Sequence, residues 1–420
     1  MKTGLNFLVA AKRCEIAELR QLALTSALVN VTGRLVHGLQ RERGLSNLYL
    51  GSQGTMFTAM RAQQIQECRQ TEAELRACFD SLDTESARLG HGARLFSRIA
   101  YVLHGLDALG GLRERVDTLA WTTRQSTEAY VRLIAGLLAV VFEAADSASD
   151  PEISRLLVAL FNFMQGKEFA GQERAAGSAL FASGRAEMTE QQRLLHFIQS
   201  QERCLQVFSE FANPQAGDLW AGSQASATLA ELERLRRVLC TASDGAPLNA
   251  QLSQAWFDCC TRRIDRMKSV EDRLTLDLLR ACEDKTLAAT RELESFHALN
   301  PHATREADAL SFFRDAGTQI QPTPATSGYG LQLERSILEL VQEQARRLQT
   351  MGEELDTVRA SLNERKLIER AKGLLMAHRQ LTEEEAHKTM RQMAMNQNRR
   401  LIEVAEAVLA MADVLPHRAA

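Results

Sequence analysis

Apolar residues recur at helical spacing along almost all of this 420-residue chain, and no stretch alternates apolar and polar residues as a strand does. Between Arg13 and Leu50, the residues Ile16, Leu19, Leu22, Leu28, Val29, Val31, Leu35, Val36, Leu39 and Leu48 mark one long helix. Gly51-Ser52-Gln53-Gly54 breaks it. The next stripe, Ile65, Cys68, Glu72, Leu75, Phe79 and Leu82, advances in alternating steps of three and four. That is the seam of a helix bundle, with one charged member, Glu72. Further helices are predicted from Ala93 to Leu109, stopped by Gly110-Gly111, and from Leu112 to Asp146, with Leu119 on its apolar face. Asp150-Pro151 opens another, since proline at a first helical position loses no hydrogen bond, and it runs to about Gly184. Helices over 187–212, 223–241 and from beyond Pro247 to about His297 complete the series. The expected fold is all-α: an antiparallel helical bundle over residues 1–320.

Beyond the bundle the pattern changes twice. Residues 321–330, Gln-Pro-Thr-Pro-Ala-Thr-Ser-Gly-Tyr-Gly, form a linker by composition. Residues 331–361 then carry a heptad stripe, Ile337, Val341, Leu348, Met351, Leu355 and Val358, that continues to Leu362 with Gln344 as its polar member. Such a stripe predicts a connector helix that pairs as a coiled coil, making a homodimer through residues 331–362, or else docks on its own bundle. Residues 362–415 read as three short helices. Their inner faces are Leu367, Ile368, Ala371, Leu374 and Leu375; then Ala386, Met390, Met393 and Ala394; then Leu401, Val404, Ala405, Val408 and Leu409. Thr382 to Glu385 fits a capping box for the second, and Asn396 or Asn398 is placed to cap the third.

Composition narrows the class. A hydrophobic share of 45% with 25% charged residues describes a folded globular chain. No apolar run approaches the ~20 residues that cross a bilayer, and the short apolar patch at the N-terminus ends at Lys12, so the expectation is a cytoplasmic protein with no membrane segment. The eight cysteines, at 14, 68, 78, 204, 240, 259, 260 and 282, include no Cys-x-x-Cys and sit mostly on apolar faces. They read as reduced core residues, with no structural metal. The nine histidines are scattered, and no catalytic constellation emerges; neither an enzyme nor a cofactor is expected.

Charge singles out the C-terminal helices. Between Ser361 and Ile402 there are nine basic and five acidic residues, a net +4 in a chain of net −3. Charge of this kind supplies the salt-dependent part of nucleic-acid affinity. The run Ile368-Glu369-Arg370-Ala371-Lys372-Gly373-Leu374-Leu375-Met376, then Glu385-Ala386, then Asn398-Arg399-Arg400-Leu401-Ile402-Glu403-Val404-Ala405, resembles the ANTAR family of RNA-binding antiterminator domains. The resemblance implies a small helical unit, dimeric when active, that binds paired leader-RNA hairpins and prevents a terminator from forming. Lys366, Arg370, Lys372, Arg379, Lys388, Arg391, Arg399 and Arg400 are the RNA contacts it suggests. Most would touch phosphates, and without an aromatic residue to stack on, base readout falls to arginine and polar groups. Most members of that family carry a phosphoacceptor receiver domain, a strand-and-helix alternation absent here, so control must come through helices.

Two segments of the bundle suggest how. Leu39-Gln40-Arg41-Glu42-Arg43-Gly44-Leu45-Ser46 sets Glu-Arg-Gly inside an apolar helix, where glycine costs ~0.5–1 kcal/mol unless close packing or a ligand requires it. Trp256 to Glu271 places cations beside Ile264, Met267 and Val270. With the long-helix layout, these segments resemble the NIT family of nitrate- and nitrite-sensing domains over roughly residues 30 to 290. The two resemblances together imply a one-component antitermination regulator of nitrate-assimilation genes, in which nitrate or nitrite releases the C-terminal domain to its RNA. Nitrate is planar, monovalent and a weak acceptor, which suits the planar guanidinium fork. Arg76 and Arg263 flank core stripes and are the first candidates for that ligand; Arg43 and Arg236 follow, with Thr261 and Ser46 as hydroxyl donors. Two alternatives stand beside this reading: a helical coiled-coil adaptor with a basic surface tail, and a DNA-binding regulator sensing another small anion.

Overall fold

The computed structural model describes residues 4–82, 92–224, 227–298, 329–379, 381, 383–397 and 399–412. These form twelve helices and no strand, apart from an isolated antiparallel bridge between Arg185 and Pro247. The first helix, α1 (Gly4–Gly51), runs the full length of the bundle. It ends in a turn where Gln53 and Gly54 take left-handed angles. The chain then runs up and down beside it: α2 (Thr58–Asp80) and α4 (Thr123–Ser147) are antiparallel to α1, while α3 (Gly92–Asp117) and α5 (Pro151–Ser183) run parallel to it. A second group, α6 (Met188–Phe211), α7 (Pro214–Gln224) and α8 (Ala227–Thr241), leads into the long α9 (Leu252–Ala298). The C-terminal part holds α10 (Tyr329–Arg379), α11 (Glu383–Gln397) and α12 (Leu401–Ala412).

Helix boundaries follow local chemistry. Asp150 caps α5 by accepting from Ile153 N at 3.0 Å, with Pro151 in the first turn, as its sequence predicts. Gly184 closes the same helix at φ 69°, a left-handed angle that glycine adopts without strain. The predicted break at Gly110-Gly111 does not occur. Leu109, Leu112 and Val116 continue one buried face, so α3 runs through both glycines. The chain turns instead after Asp117, with Leu119 exposed and left-handed, and Thr122 and Gln125 forming a reciprocal capping box for α4. Packing outweighed glycine's weak helix propensity. The sequence reading also missed α7, although Asn213 caps it through Ala216 N at 2.9 Å and Pro214 follows.

Residues 321–328 of the predicted linker, Thr382 of the predicted capping box and Asn398 lie outside the described residues. Tyr329 and Gly330 are already helical, and Asn396 belongs to α11. The connector passes without interruption into the first C-terminal helix as one continuous α10. Its lower stripe packs on its own chain: Val358 is buried in the main core and Leu355 is buried, while Leu348 is 56% exposed. The side chains of residues 329–345 lie outside the described ones.

Three apolar cores result. The largest is built by α1 to α4, the first half of α5 and the distal part of α9. A second joins the last turns of α5 to α6, α8 and the start of α9, around Phe181, Leu194, Leu235 and Trp256. The third holds α10, α11 and α12 together through the apolar positions their sequences predict. Both α5 and α9 pass from one large core to the other, so residues near the middle of each stand at a waist between the two bundles.

Five of the eight cysteines are buried, and all eight are free; Cys14, expected with the others on an apolar face, is exposed. The waist is packed tightly on its second-bundle side. A Cβ on Gly177 would lie 2.3 Å from Cε2 of the fully buried Trp256, whose Nε1 donates to the Arg174 carbonyl at 3.0 Å. We expect Gly177→Ala to cost about 3 kcal/mol through overpacking. The check is a lowered urea midpoint; a midpoint equal to that of the parent chain would refute the packing.

Candidate functional site

At the waist, two helices present a matching pair of arginines. On α1, Glu42-Arg43-Gly44 sends its guanidinium toward α5, where a Cβ on Gly171 would meet Arg43 Nη2 at 2.7 Å. On α5, Glu173-Arg174 returns the arrangement: a Cβ on Gly44 would meet Arg174 Nη2 at 3.1 Å. Each guanidinium lies against the other helix's glycine, so a side chain at Gly171 would displace the Arg43 fork and one at Gly44 would press on that of Arg174. Glycine earns its place here by close approach, not by conformation.

The two arginines differ in their compensation. Arg43 is 2% exposed and its fork grips Glu168, Nη1 to Oε1 and Nη2 to Oε2, the latter at 3.3 Å. Glu168 also accepts from Gln40 Nε2 and Gln172 Nε2, each at 2.9 Å. Arg174 has no carboxylate within salt-bridge reach among the described residues. Its Nη1 donates to Thr261 Oγ1 at 2.9 Å, and its guanidinium sits 4.8 Å above the Phe257 ring. Burial first, and then the facing Arg43, push the Arg174 pKa below the ordinary arginine value. His37, one turn before Gln40, is driven down to about 2 by burial and then by Lys167, Lys268, Arg41 and Arg174, so it adds no positive charge. Among the groups in direct contact at the crossing, two guanidiniums face one carboxylate, an excess of one positive charge; Lys167 and Lys268 near His37 are paired with Glu271.

The sequence-predicted arginines fall into three places. Arg43 is at the crossing. Arg236 and Arg263 lie on the opposite side of α5 around Glu173: Arg236 donates from Nε at 2.6 Å and Nη2 at 2.7 Å, while Arg263 bonds Gln201 Oε1 at 2.5 Å and stands 3.9 Å from Glu173. Burial raises the Glu173 carboxyl, but Arg236, Arg263 and the Gln201 hydrogen bond together hold it below the usual range. Arg76 is 35% exposed on α2 and pairs with Glu72 and Asp107, none of which surrounds Arg43 or Arg174. Thr261 meets Arg174, whereas Ser46 bonds Arg61 Nε at 3.0 Å and faces Tyr130. Sequence reasoning missed Arg174, Glu168 and Gly171. The available signal was a repeat: Gln-Arg-Glu-Arg-Gly at 40–44 is answered by Gln-Glu-Arg-Ala-Ala-Gly at 172–177, both inside apolar helices.

A second arrangement joins the C-terminal helices to the bundle. Arg365 donates to Asn162 Oδ1 at 2.6 Å and Gln165 Oε1 at 2.7 Å, both on α5, and lies 4.7 Å above the Phe161 ring. Lys366 pairs with Asp146 at the end of α4 and faces Phe142. Lys388 reaches Gln192 Oε1 at 3.3 Å, Arg391 reaches Gln199 Oε1 at 2.5 Å, and His387 packs edge-on against His196 of α6 with centroids 5.7 Å apart. Of the eight predicted RNA contacts, Lys366, Lys388 and Arg391 thus touch the bundle. Lys372 is buried beside Glu369, and Arg370, Arg379, Arg399 and Arg400 are exposed. Among the described residues no helix is long and apolar enough to cross a membrane, and no side-chain cluster is arranged to hold a metal.

Comparisons with known proteins cover both the bundle and the C-terminal helices. A family model described as nitrate and nitrite sensing, NIT, matches residues 34–279, and the ANTAR domain model matches residues 356–409. A nitrate regulatory protein of Klebsiella oxytoca is 35% identical over 410 residues, covering 97% of this chain and 94% of its own. The solved structure of the NasR transcription antiterminator is 32% identical with a TM-score of 0.60, covering 98% of this chain and 99% of that one.

Proposed function

The chain belongs to the NIT family of nitrate- and nitrite-sensing proteins and carries a C-terminal ANTAR domain, and we infer that it is a one-component transcription antitermination regulator. In this reading nitrate or nitrite enters between Arg43 and Arg174, and the ANTAR helices leave the bundle to bind leader-RNA hairpins. The chain's chemistry is recognition, with no catalytic step.

One observation carries the reading: a single helix, α5, holds both ends of the switch. Gln165, which grips Arg365, precedes Glu168 by one turn, and Glu168 grips Arg43. Without ligand, Arg174 lacks a counter-charge and repels Arg43, which is unfavourable in a partly dry site. A monovalent oxyanion supplies that charge and bridges the two forks with charge-assisted hydrogen bonds. Drawing α1 and α5 together there shifts α5 against α10, and ligand binding then favours whichever state pairs the arginines better. Arg236 and Arg263 support α5 from its other face through Glu173. Release also frees Lys366, Lys388 and Arg391 for phosphates, and uncovers Leu355 and Val358 for pairing with a second copy through residues 331–362.

The test is a gel shift of the full chain with leader hairpin RNA and with duplex DNA, each with and without potassium nitrate. Retardation of the RNA only when nitrate is present is the expected result. Nitrate-independent retardation, or a preference for duplex DNA, overturns the reading.

The docked state also depends on pH. Burial, then Arg203, Lys372, His196 and Arg391, hold His387 down to about 3. Arg203 and His196 face it from α6, Lys372 from α10, and Arg391 from its own helix. Undocked, an exposed His387 titrates near 6.5. The free form therefore takes up a proton first, so docking is fully favoured above ~6.5 and weakens by about tenfold per pH unit below it. Energy transfer between labels on α6 and α11 should fall between pH 7 and pH 5.5. A His387→Gln chain should lose that slope, and an equal slope in both chains would count against the contact.

A further inference from the structure

The crossing binds one anion by the reading above, and the ligand's charge is decided by a residue that need not touch it. Arg43 and Arg174 together bring two positive charges, more than nitrate can neutralise. Glu168 removes one. Its carboxylate is fixed by four N–H donors, two from Arg43 and one each from Gln40 and Gln172, so it cannot swing away without breaking all of them. Asp265 also acts on Arg174, but from an exposed position where solvent screens it. Arg174 is thus the uncompensated cation, lying between Gly44, Thr261 and the Phe257 ring.

We propose that Glu168 is a specificity-determining residue: by neutralising Arg43 it leaves room for one negative charge at the Arg43–Arg174 crossing, admitting monovalent oxyanions and excluding sulfate and hydrogen phosphate. The proposal rests on the assignment of that crossing as the anion site. A dianion seated there carries one charge without a partner, which is costly where water is scarce. A monoanion leaves none. Size alone gives no such protection, because the fork of a guanidinium accepts sulfate and phosphate as readily as nitrate. The carboxylate provides it; a glutamine of equal shape keeps one acceptor oxygen but loses the charge and turns an N–H2 toward donors, so its effect is read together with that of Gln172→Glu.

The experiment is titration calorimetry of the full chain with potassium nitrate and with potassium sulfate. The parent chain should bind nitrate and give no measurable heat with sulfate. Glu168→Gln, raising the excess to two positive charges, should shift the nitrate-to-sulfate preference toward sulfate by about tenfold or more. Glu168→Asp retains the charge and should retain the preference. Should Glu168→Gln fail to fold, Gln172→Glu adds a second carboxylate beside the first, and nitrate affinity should drop by about tenfold or more. A folded Glu168→Gln chain with an unchanged preference, or a Gln172→Glu chain with unchanged nitrate affinity, overturns the proposal. An Arg174→Ala chain that still binds nitrate normally would instead remove the site on which it rests, so the two failures are distinguishable.

Discussion

An Arg174→Ala chain is expected to bind leader hairpin RNA equally weakly with and without nitrate. Arg174 is the guanidinium left without a carboxylate, so the ligand's charge is matched chiefly there. Removing one partner of a buried charge pair costs about 2–5 kcal/mol, which corresponds to a loss of nitrate affinity of roughly thirtyfold or more. Arg174→Lys should recover little of it. An ammonium offers no planar fork, and it would lose the paired contact to Thr261 and the ring of Phe257. The folded chain should not suffer, because the substitution relieves repulsion against Arg43. Calorimetry with nitrate and a urea midpoint on the same sample separate the two effects. Full nitrate affinity in Arg174→Ala would end the assignment. A lost affinity with a collapsed midpoint would point to packing instead.

The opposite phenotype is expected on the docking side. Asp146 is 8% exposed and pairs with Lys366, which is 20% exposed, while Gln165 and Asn162 hold Arg365. Substituting Asp146→Asn together with Gln165→Ala leaves the RNA-facing residues intact and removes their grip. Pairs this far from water contribute more than surface ion pairs and less than fully buried ones, about 1–2 kcal/mol each. RNA affinity without nitrate should therefore rise between ten- and a hundredfold, some coupling being expected between neighbouring contacts. Linkage adds a second reading from the same chain. Nitrate no longer has to offset the docked state, so its apparent affinity should tighten as well. RNA binding without nitrate at the parent level would refute masking through this face.

Much of this was legible beforehand, and the reason lies in which residues carried the signal. Helical periodicity depends on neighbours three and four positions apart, and it placed Leu35, Leu39, Leu75 and Phe79 in the core where they are found. The three inner faces of the C-terminal unit were read the same way. The Glu-Arg-Gly of α1 stands out because a glycine and two charges interrupt an apolar face. Its partners on α5, Glu168, Gly171 and Arg174, form no contiguous motif because they are spaced three residues apart. The break placed at Gly110-Gly111 failed for a related reason: glycine's local preference is worth less than the burial of Leu109, Leu112 and Val116 around it.

Arg76 shows where such reasoning stops. A basic residue beside a core stripe looks the same in sequence whether it points inward, like Arg43, or lies along the surface with Asp107, as Arg76 does. A small turn of the helix decides, and helix rotation is set by partners far away in the chain.

The sequence by itself determined that the fold is all-helical, that a helical bundle precedes a basic C-terminal unit, and which faces of each helix are apolar. All of these depend on patterns within a single helix. Only the tertiary structure decided that Arg43 faces Arg174 across 131 positions of chain, that Glu168 leaves one positive charge between them, and that α5 bears on Arg365. Electrostatic balance at a crossing belongs to several helices at once, and no one of them carries it alone.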